Sequence, residues 1–303
     1  MIKKTLYFGN PAYLSLRNDQ LVIHLPGANG MDDASGLNTV PIEDIGIVVL
    51  DNRQITVTHG LLERLLDNTA AVVTCDSSRM PAGLLLPLEG HSVQQERFRA
   101  QIDSSAPLRK QLWQQTVRAK IANQGALLRE RGIPHKNMLF WASSVRSDDP
   151  DNFEARAAAY FWSRLFPQIP DFRRDREGMP PNNLLNYGYA ILRATVARAL
   201  VCSGLLPTLG IHHHNRYNAF ALADDVMEPY RPFVDRSVCS ILDDGEDFSE
   251  LSRSVKSRLL TIPTLDVTIG GKRNPLMIAV GQTAASLAKC YAGEIRKIVY
   301  PTL

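Results

Sequence analysis

Residues 182–204 read NNLLNYGYAILRATVARALVCSG and are apolar on nearly every face of a helix. A single apolar stripe lets a helix lie on a surface, whereas apolar residues all round demand neighbours on all sides. The segment therefore predicts a helix from Asn182 to about Ser203, closed by Gly204, in the middle of a bundle. The flanking sequence supplies its neighbours. Ser92 caps a helix to about Ile102, and Pro107 suits the first turn of a long helix from Leu108 to about Arg131. Asp151 or Asn152 caps another to about Leu165. A further helix runs from about Asn218 to Asp244, broken or kinked around Pro229 and Pro232. Leu251 to Leu260 and Leu276 to Tyr291 complete the set, with a small turn or hairpin at Val267 to Lys272.

The first ~85 residues read differently, as short alternating or fully apolar runs of the kind that form strands. Thr5–Phe8, Tyr13–Leu16, Leu21–Leu25, Ile47–Leu50 and Ala71–Thr74 are the candidates. Asn18-Asp19 suits a tight hairpin turn between the second and third. One short helix, Gly60 to Asn68, interrupts them with Thr58 as its cap. The expected fold class is α+β in two domains. Residues 1–88 form a β-rich, sandwich-like domain, and residues 89–303 form an all-α helical domain.

Charge divides along the same line. Residues 1–90 carry six Lys and Arg against ten Asp and Glu, a balance of −4; residues 91–303 carry 28 against 21, a balance of +7. A basic surface in the helical half favours a polyanionic substrate. The four cysteines, Cys75, Cys202, Cys239 and Cys290, are far apart and form no CxxC, which excludes a four-cysteine zinc site. The opening MIKKTLYFGNPAYL has no apolar core of a signal peptide, and no apolar run nears the ~20 residues of a membrane span. A cytoplasmic setting is expected.

Chemistry concentrates in residues 210–232, GIHHHNRYNAFALADDVMEPYRP. His212, His213 and His214 precede Asp224, Asp225 and Glu228, so imidazole and carboxylate donors for a divalent cation stand close in sequence. Asp225 and Glu228 are i, i+3 and share a helix face; Asp224 and Glu228 are i, i+4. The apolar residues on either side, Ala219–Ala223 and Val226-Met227, give that helix a buried flank. Further upstream, Glu154 stands in the first turn of its helix, where dipole compensation alone accounts for it.

Four ordered segments resemble one family. Glu154-Ala-Arg-Ala-Ala-Ala-Tyr-Phe-Trp is similar to an E-G-x-A-A-x-x-Y-F helix. Asn182-Asn-Leu-Leu-Asn-Tyr-Gly-Tyr-Ala-Ile-Leu is similar to N-x-L-L-N-Y-x-Y-x-x-L. Gly204-Leu-Leu-Pro followed by Gly210-Ile-His-His resembles G-L-x-P and G-x-x-H. Asp225-Val-Met-Glu-Pro-Tyr-Arg-Pro resembles D-L-M-E-x-F-R-P. Together they resemble the Cas1 family of CRISPR-associated integrases, and the chain length with the GIHH and EPYRP variants looks most like members from type II systems. Ala155 departs from the usual glycine.

The resemblance implies an endonuclease and integrase of CRISPR adaptation. In that reaction a 3′-hydroxyl of protospacer DNA attacks a phosphodiester at the edge of a repeat. It implies Glu154, His213 and Glu228 as ligands of Mg2+ or Mn2+, with His212 and His214 as alternatives to His213. Asp225 is an assisting acid near the metal, and Asp224 a bystander. Asn182 and Tyr187 lie near the same cavity, Tyr187 equally as a core aromatic, and Arg231 orients carboxylates or packs. The implied partners are double-stranded DNA, a second copy of the chain, the small protein Cas2 and the RNA-guided effector nuclease. The first domain is the expected dimerisation element. Arg109, Lys110, Arg118, Lys120, Arg129 and Arg131 read mainly as a solvated face of the long helix, some of them within reach of phosphate. Arg146, Arg156, Arg173, Arg174, Arg176, Lys256, Arg258, Lys272 and Arg273 are the pool of phosphate contacts. Two rival readings use the same residues: a hydrolase of small phosphate esters, and a catalytically silent DNA-binding scaffold.

Overall fold

The computed structural model describes residues 3–26 and 38–303. The chain divides into two compact units, Met1–Gly90 and His91–Leu303.

The first unit contains two four-stranded sheets. One has the order β1 (Lys4–Phe8), β5 (Ile45–Leu50), β7 (Ala71–Cys75), β8 (Pro81–Leu85); the other has β4 (Asn38–Pro41), β3 (Gln20–His24), β2 (Ala12–Arg17), β6 (Ile55–Val57). β2 and β3 form the expected hairpin, with Arg17 opposite Gln20. Its two turn residues, Asn18 and Asp19, both take positive φ, 49° and 55°. That is the type I′ geometry, which matches the twist of the flanking strands and which Asn and Asp tolerate. β5 and β7 pair in parallel and are buried on both faces, which explains their unbroken apolar runs. Leu14, Leu21, Ile42, Ile45, Val48 and Val72 form the core together with Leu61 and Leu65 of α1 (His59–Asp67). β8 carries Pro81 and Gly83, which are rare inside strands, and is a sheet-edge strand, where a proline in first position costs no ladder bond.

The second unit is built round the expected central helix. α6 (Asn182–Cys202) buries 14 of its 21 residues, and α7 (Ala221–Met227), α8 (Arg231–Asp243), α9 (Arg253–Leu259) and α10 (Leu276–Tyr291) all pack on it. Gly204 follows at φ 71°, the left-handed conformation that closes helices. Gly188 lets α8 approach, since a Cβ there would stand 2.5 Å from Val234 Cγ1. Ahead of α6 come α2 (Gln94–Ile102), the long α3 (Ala106–Glu130), α4 (Lys136–Ser144) and α5 (Phe153–Leu165). Ser105 caps α3 through the Leu108 N–H, with Pro107 in the first turn. α4 was not foreseen: the residue before it, His135, makes no side-chain cap bond, so the sequence carries no capping signal there.

The helix expected to break or kink around Pro229 and Pro232 is interrupted there: a 3-10 turn, Glu228–Tyr230, separates α7 from α8. The helical unit also carries a small sheet of order β10 (Lys272–Pro275), β9 (Asp266–Ile269), β11 (Pro301–Thr302). Its first two strands are the hairpin expected at Val267 to Lys272. No helix among the described residues is long and apolar enough to cross a membrane.

Candidate functional site

α3 packs against α5 on one side and against the 3-10 turn on another. It therefore stands between the two elements that carry Glu154 and Glu228. Glu154 lies in the first turn of α5. The start of that helix is fixed by Asp149, whose carboxylate accepts the backbone N–H of Phe153 at 3.0 Å and of Glu154 at 2.9 Å. This corrects the expected cap: Asn152 occupies the cap position in a left-handed conformation and makes no side-chain cap bond.

Both carboxylates converge on one ammonium. Lys120 Nζ lies 2.7 Å from Glu154 Oε1 and 2.6 Å from Glu228 Oε2. The side chains are 12% (Lys120), 26% (Glu154) and 8% (Glu228) exposed. Lys120 was expected on the solvated face of α3 and is not there. Its neighbours in that list are also committed: Arg118 donates to Val145 O and Ser143 O, Lys110 pairs with Asp148, and Arg131 pairs with Asp243. The other oxygen of Glu228 is taken by Arg231 Nε at 2.8 Å. Arg231 thus orients a carboxylate, as expected, and its guanidinium also lies over the Tyr189 ring at 4.6 Å.

Burial opposes ionisation of Glu228, but Arg231 and Lys120 outweigh it and hold the carboxyl down at about 2. Burial likewise works against the charged Lys120, and the two glutamates more than offset it, so its pKa is raised.

His213 is presented from the loop before α7. Asp225, fully buried on α7, accepts the backbone N–H of His212 at 2.9 Å and of His213 at 3.4 Å through Oδ2. Its Oδ1 takes His213 Nδ1. A carboxylate on Nδ1 fixes the tautomer and leaves Nε2 as the ring nitrogen available to a further partner. The hydrogen bond to Asp225 is the largest influence on His213, and with the charges of Glu228 and Glu154 it raises the imidazole pKa against partial burial. Gly210 makes the loop possible: a Cβ there would stand 2.4 Å from His213 O and 2.9 Å from Asp225 Oδ2.

The three histidines separate clearly. His212 stacks on Trp113 at 4.3 Å and 4°, with His213 edge-on to the same indole at 5.4 Å. His212 Nδ1 faces Asp148 at 3.8 Å, and His214 is exposed. Asp224 turns to Arg193 at 2.6 and 3.0 Å. Asn182, 1% exposed, binds the segment ahead of α6, donating to Arg173 O and Met179 O and accepting from Asp175 N. Tyr187 is a fully buried core aromatic.

No group of three or more His, Cys, Asp or Glu side chains among the described residues stands converged to hold a metal ion. The donor chemistry of Glu154 and Glu228 nonetheless suits a hard divalent cation. Glu228 Oε2 is buried, and its close partner is the Lys120 ammonium, a cation in the place where a divalent ion would sit. Within the pool of phosphate contacts, Lys256 is 2% exposed, Arg258 pairs with Asp244 and Glu246, and Arg174 donates to Asn182 and Asn186. Arg146, Arg156, Arg173, Arg176, Lys272 and Arg273 are exposed, Arg146 and Arg273 in surface ion pairs with Asp151 and Asp266.

Comparison with known proteins identifies the family. The family "CRISPR associated protein Cas1" matches residues 6–256. The CRISPR-associated endonuclease Cas1 of Neisseria meningitidis serogroup C (strain 8013) is 36% identical over 288 residues, 94% of this chain and 91% of that one. A Cas1 endonuclease of Francisella tularensis subsp. novicida (strain U112) is 25% identical over 310 residues, 93% of each chain. Among solved structures, a casposase bound to integration product superposes with TM-score 0.77 at 20% identity, covering 98% of this chain and 92% of that one. A Cas1 protein from Thermotoga maritima gives TM-score 0.72 at 17% identity, covering 96% and 98%. A Cas6-RT-Cas1–Cas2 complex gives 0.72 at 20%, covering 97% of this chain and 35% of that one. The structural likenesses speak for the fold. The family match and the Neisseria relative, each spanning most of the sequence, carry the assignment: the chain belongs to the Cas1 family of CRISPR-associated proteins.

Proposed function

We propose that the protein is a metal-dependent DNA endonuclease and integrase of CRISPR adaptation, joining the 3′-hydroxyl ends of protospacer DNA to the CRISPR repeat. The supporting observation is the meeting of Glu154 and Glu228 on one buried cation, with the Asp225-bound His213 electrostatically coupled to both. These residues come from three separate stretches of the chain, and each stands at a position matching a family motif.

In this reading Glu154 and Glu228 hold Mg2+ or Mn2+, with His213 Nε2 as the nitrogen donor. The cation supplies charge stabilisation on the oxygens of the scissile phosphate. The chain's own residues do the rest. Asp225 keeps the imidazole in one tautomer and pins the loop that carries it. Arg231 fixes the rotamer of Glu228. His213 alternatively moves the proton of the attacking hydroxyl, since its pKa is raised from a value already near neutrality. Exposed arginines such as Arg156, Arg173 and Arg176 engage the DNA backbone, which positions the duplex without reading its bases.

The solved complex with Cas2 and the casposase on its integration product support Cas2 and DNA as partners. A homodimer formed through the β-rich unit, in a type II system with its effector nuclease, completes the proposal.

The test is strand transfer of a labelled fragment into a repeat-bearing plasmid in Mn2+ and in Mg2+. Wild type should integrate, and Glu154→Ala, His213→Ala and Glu228→Ala should bind the fragment without joining it. Integration at the wild-type rate by all three variants would reject the site.

A further inference from the structure

Among the described residues, the ion pairs of both carboxylates are with cations of the chain itself. Glu228 spends one oxygen on Arg231 and the other on Lys120, and Lys120 also reaches Glu154. Two carboxylates and two cations make a charge-balanced set, mostly withdrawn from water. A divalent ion added to it would place further positive charge beside Lys120 and Arg231, offset only in part by the Asp225 carboxylate behind His213. Nor does Glu228 have an oxygen left without a cation beside it. The ammonium meets Glu228 Oε2 at 2.6 Å, a charge-assisted contact whose place a doubly charged cation can take.

We propose that Lys120 is a tethered cation that closes the Glu154–Glu228 pair against divalent metal, and that its ammonium leaves at least one of the two carboxylates when metal enters. The inference rests on reading those glutamates as the metal-binding pair. Lys120 is well built for exchange. A lysine presents a compact charge on a flexible four-carbon stem, so its head can move while α3 stays still. The lysine keeps the two carboxylates from repelling one another in the metal-free protein. It also sets a threshold, since the free metal must outcompete a cation held permanently in place.

The experiment is Mn2+ titration of the full chain, followed by the loss of the free-ion paramagnetic resonance signal, for wild type, Lys120→Met and Lys120→Arg. Methionine keeps the length of the stem and removes the charge; arginine keeps the charge. Lys120→Met should bind Mn2+ about tenfold or more tightly than wild type, and Lys120→Arg should stay near or below wild type. Equal or weaker binding by Lys120→Met would overturn the tethered cation while leaving the metal site standing. Absence of Mn2+ binding in wild type and in both variants would overturn both readings. Should Lys120→Met not fold, a crystal structure of wild type with Mn2+ decides. The ammonium is expected beyond ion-pair distance of at least one glutamate, and an ammonium still bridging both beside bound Mn2+ would refute the proposal.

Discussion

Asp225 holds His213 twice, through the backbone N–H and through Nδ1 of the ring. The carboxylate is wholly buried while the imidazole is half-exposed, so the anion acts as a fixed post on which a surface loop is hung. Asp225 is therefore a positioning residue, and its removal acts through His213. Asp225→Asn keeps the shape but weakens the bond to Nδ1 and removes the charge that raises the imidazole pKa. If neutral His213 is the working form, the acid limb of activity in wild type lies above the ordinary histidine value of about 6.5. In Asp225→Asn that limb should move to lower pH, with maximal strand transfer reduced roughly 10- to 100-fold. A pH–rate profile of both proteins checks it; an unmoved acid limb would show that Asp225 does not act through the imidazole.

Gly210 tests the same loop from its backbone. No side chain fits there without moving His213 O or the Asp225 carboxylate, neither of which is the end of a flexible group. Gly210→Ala should therefore cost both activity and stability. Strand transfer is expected to fall about tenfold or more, and thermal denaturation should shift down as well, because Gly210 is itself buried and the clash is with backbone and a buried carboxylate. A fully active Gly210→Ala would mean that the loop's position is immaterial to the chemistry.

Much of the fold was legible because the deciding signals were local. All-round apolarity placed α6 at the centre of the bundle, and Asn18-Asp19 announced the β2–β3 hairpin. The site was legible only in part. Of the proposed site, Glu154 was singled out through a family motif and Asp225 and Glu228 first through their shared helix face, whereas the histidine triplet gave no physical means of choosing among its members. The choice of His213 acquires one from Asp225, which lies 12 residues along the chain and on a different element. Lys120 was misread because α3 is not cleanly two-faced. Its buried side includes Thr116, Asn123 and Gln124 beside Trp113, Val117 and Ile121, so one more polar residue at the i+4 position after Thr116 raised no alarm. What singles out Lys120 is the packing of α5 and the 3-10 turn against α3, which no pattern within α3 encodes.

Asp149 joins fold and site in one residue. Its carboxylate closes the first two N–H groups of α5, and the second belongs to Glu154. Asp149→Ala should lower stability by about 0.5–2 kcal/mol, the usual range for a lost cap, and should also lower strand transfer because Glu154 stands on the frayed turn. Asp149→Asn retains an acceptor and should recover most of the stability. Chemical denaturation alongside the integration assay separates the two effects. Activity that follows stability in neither variant would uncouple the cap from Glu154.

Glu228 makes the pH dependence of stability predictable. Its carboxyl sits at about 2 in the folded protein, below the ordinary glutamate value of 4.5. A folded pKa depressed in this way stabilises the native state above the unfolded value and is lost as pH falls through the folded one. The contribution is therefore complete above roughly pH 5, fades from about pH 4.5 downward and is gone near pH 2. In Glu228→Gln the Lys120 and Arg231 cations lose one anion, so the variant should be less stable than wild type at neutral pH by a few kcal/mol. The gap should narrow as the solution is acidified, because wild type alone gives up this term. Urea denaturation of both proteins from pH 7 to pH 3 measures the gap directly. A gap that stays constant or widens on acidification would show that Lys120 and Arg231 do not hold Glu228 in its ionised form.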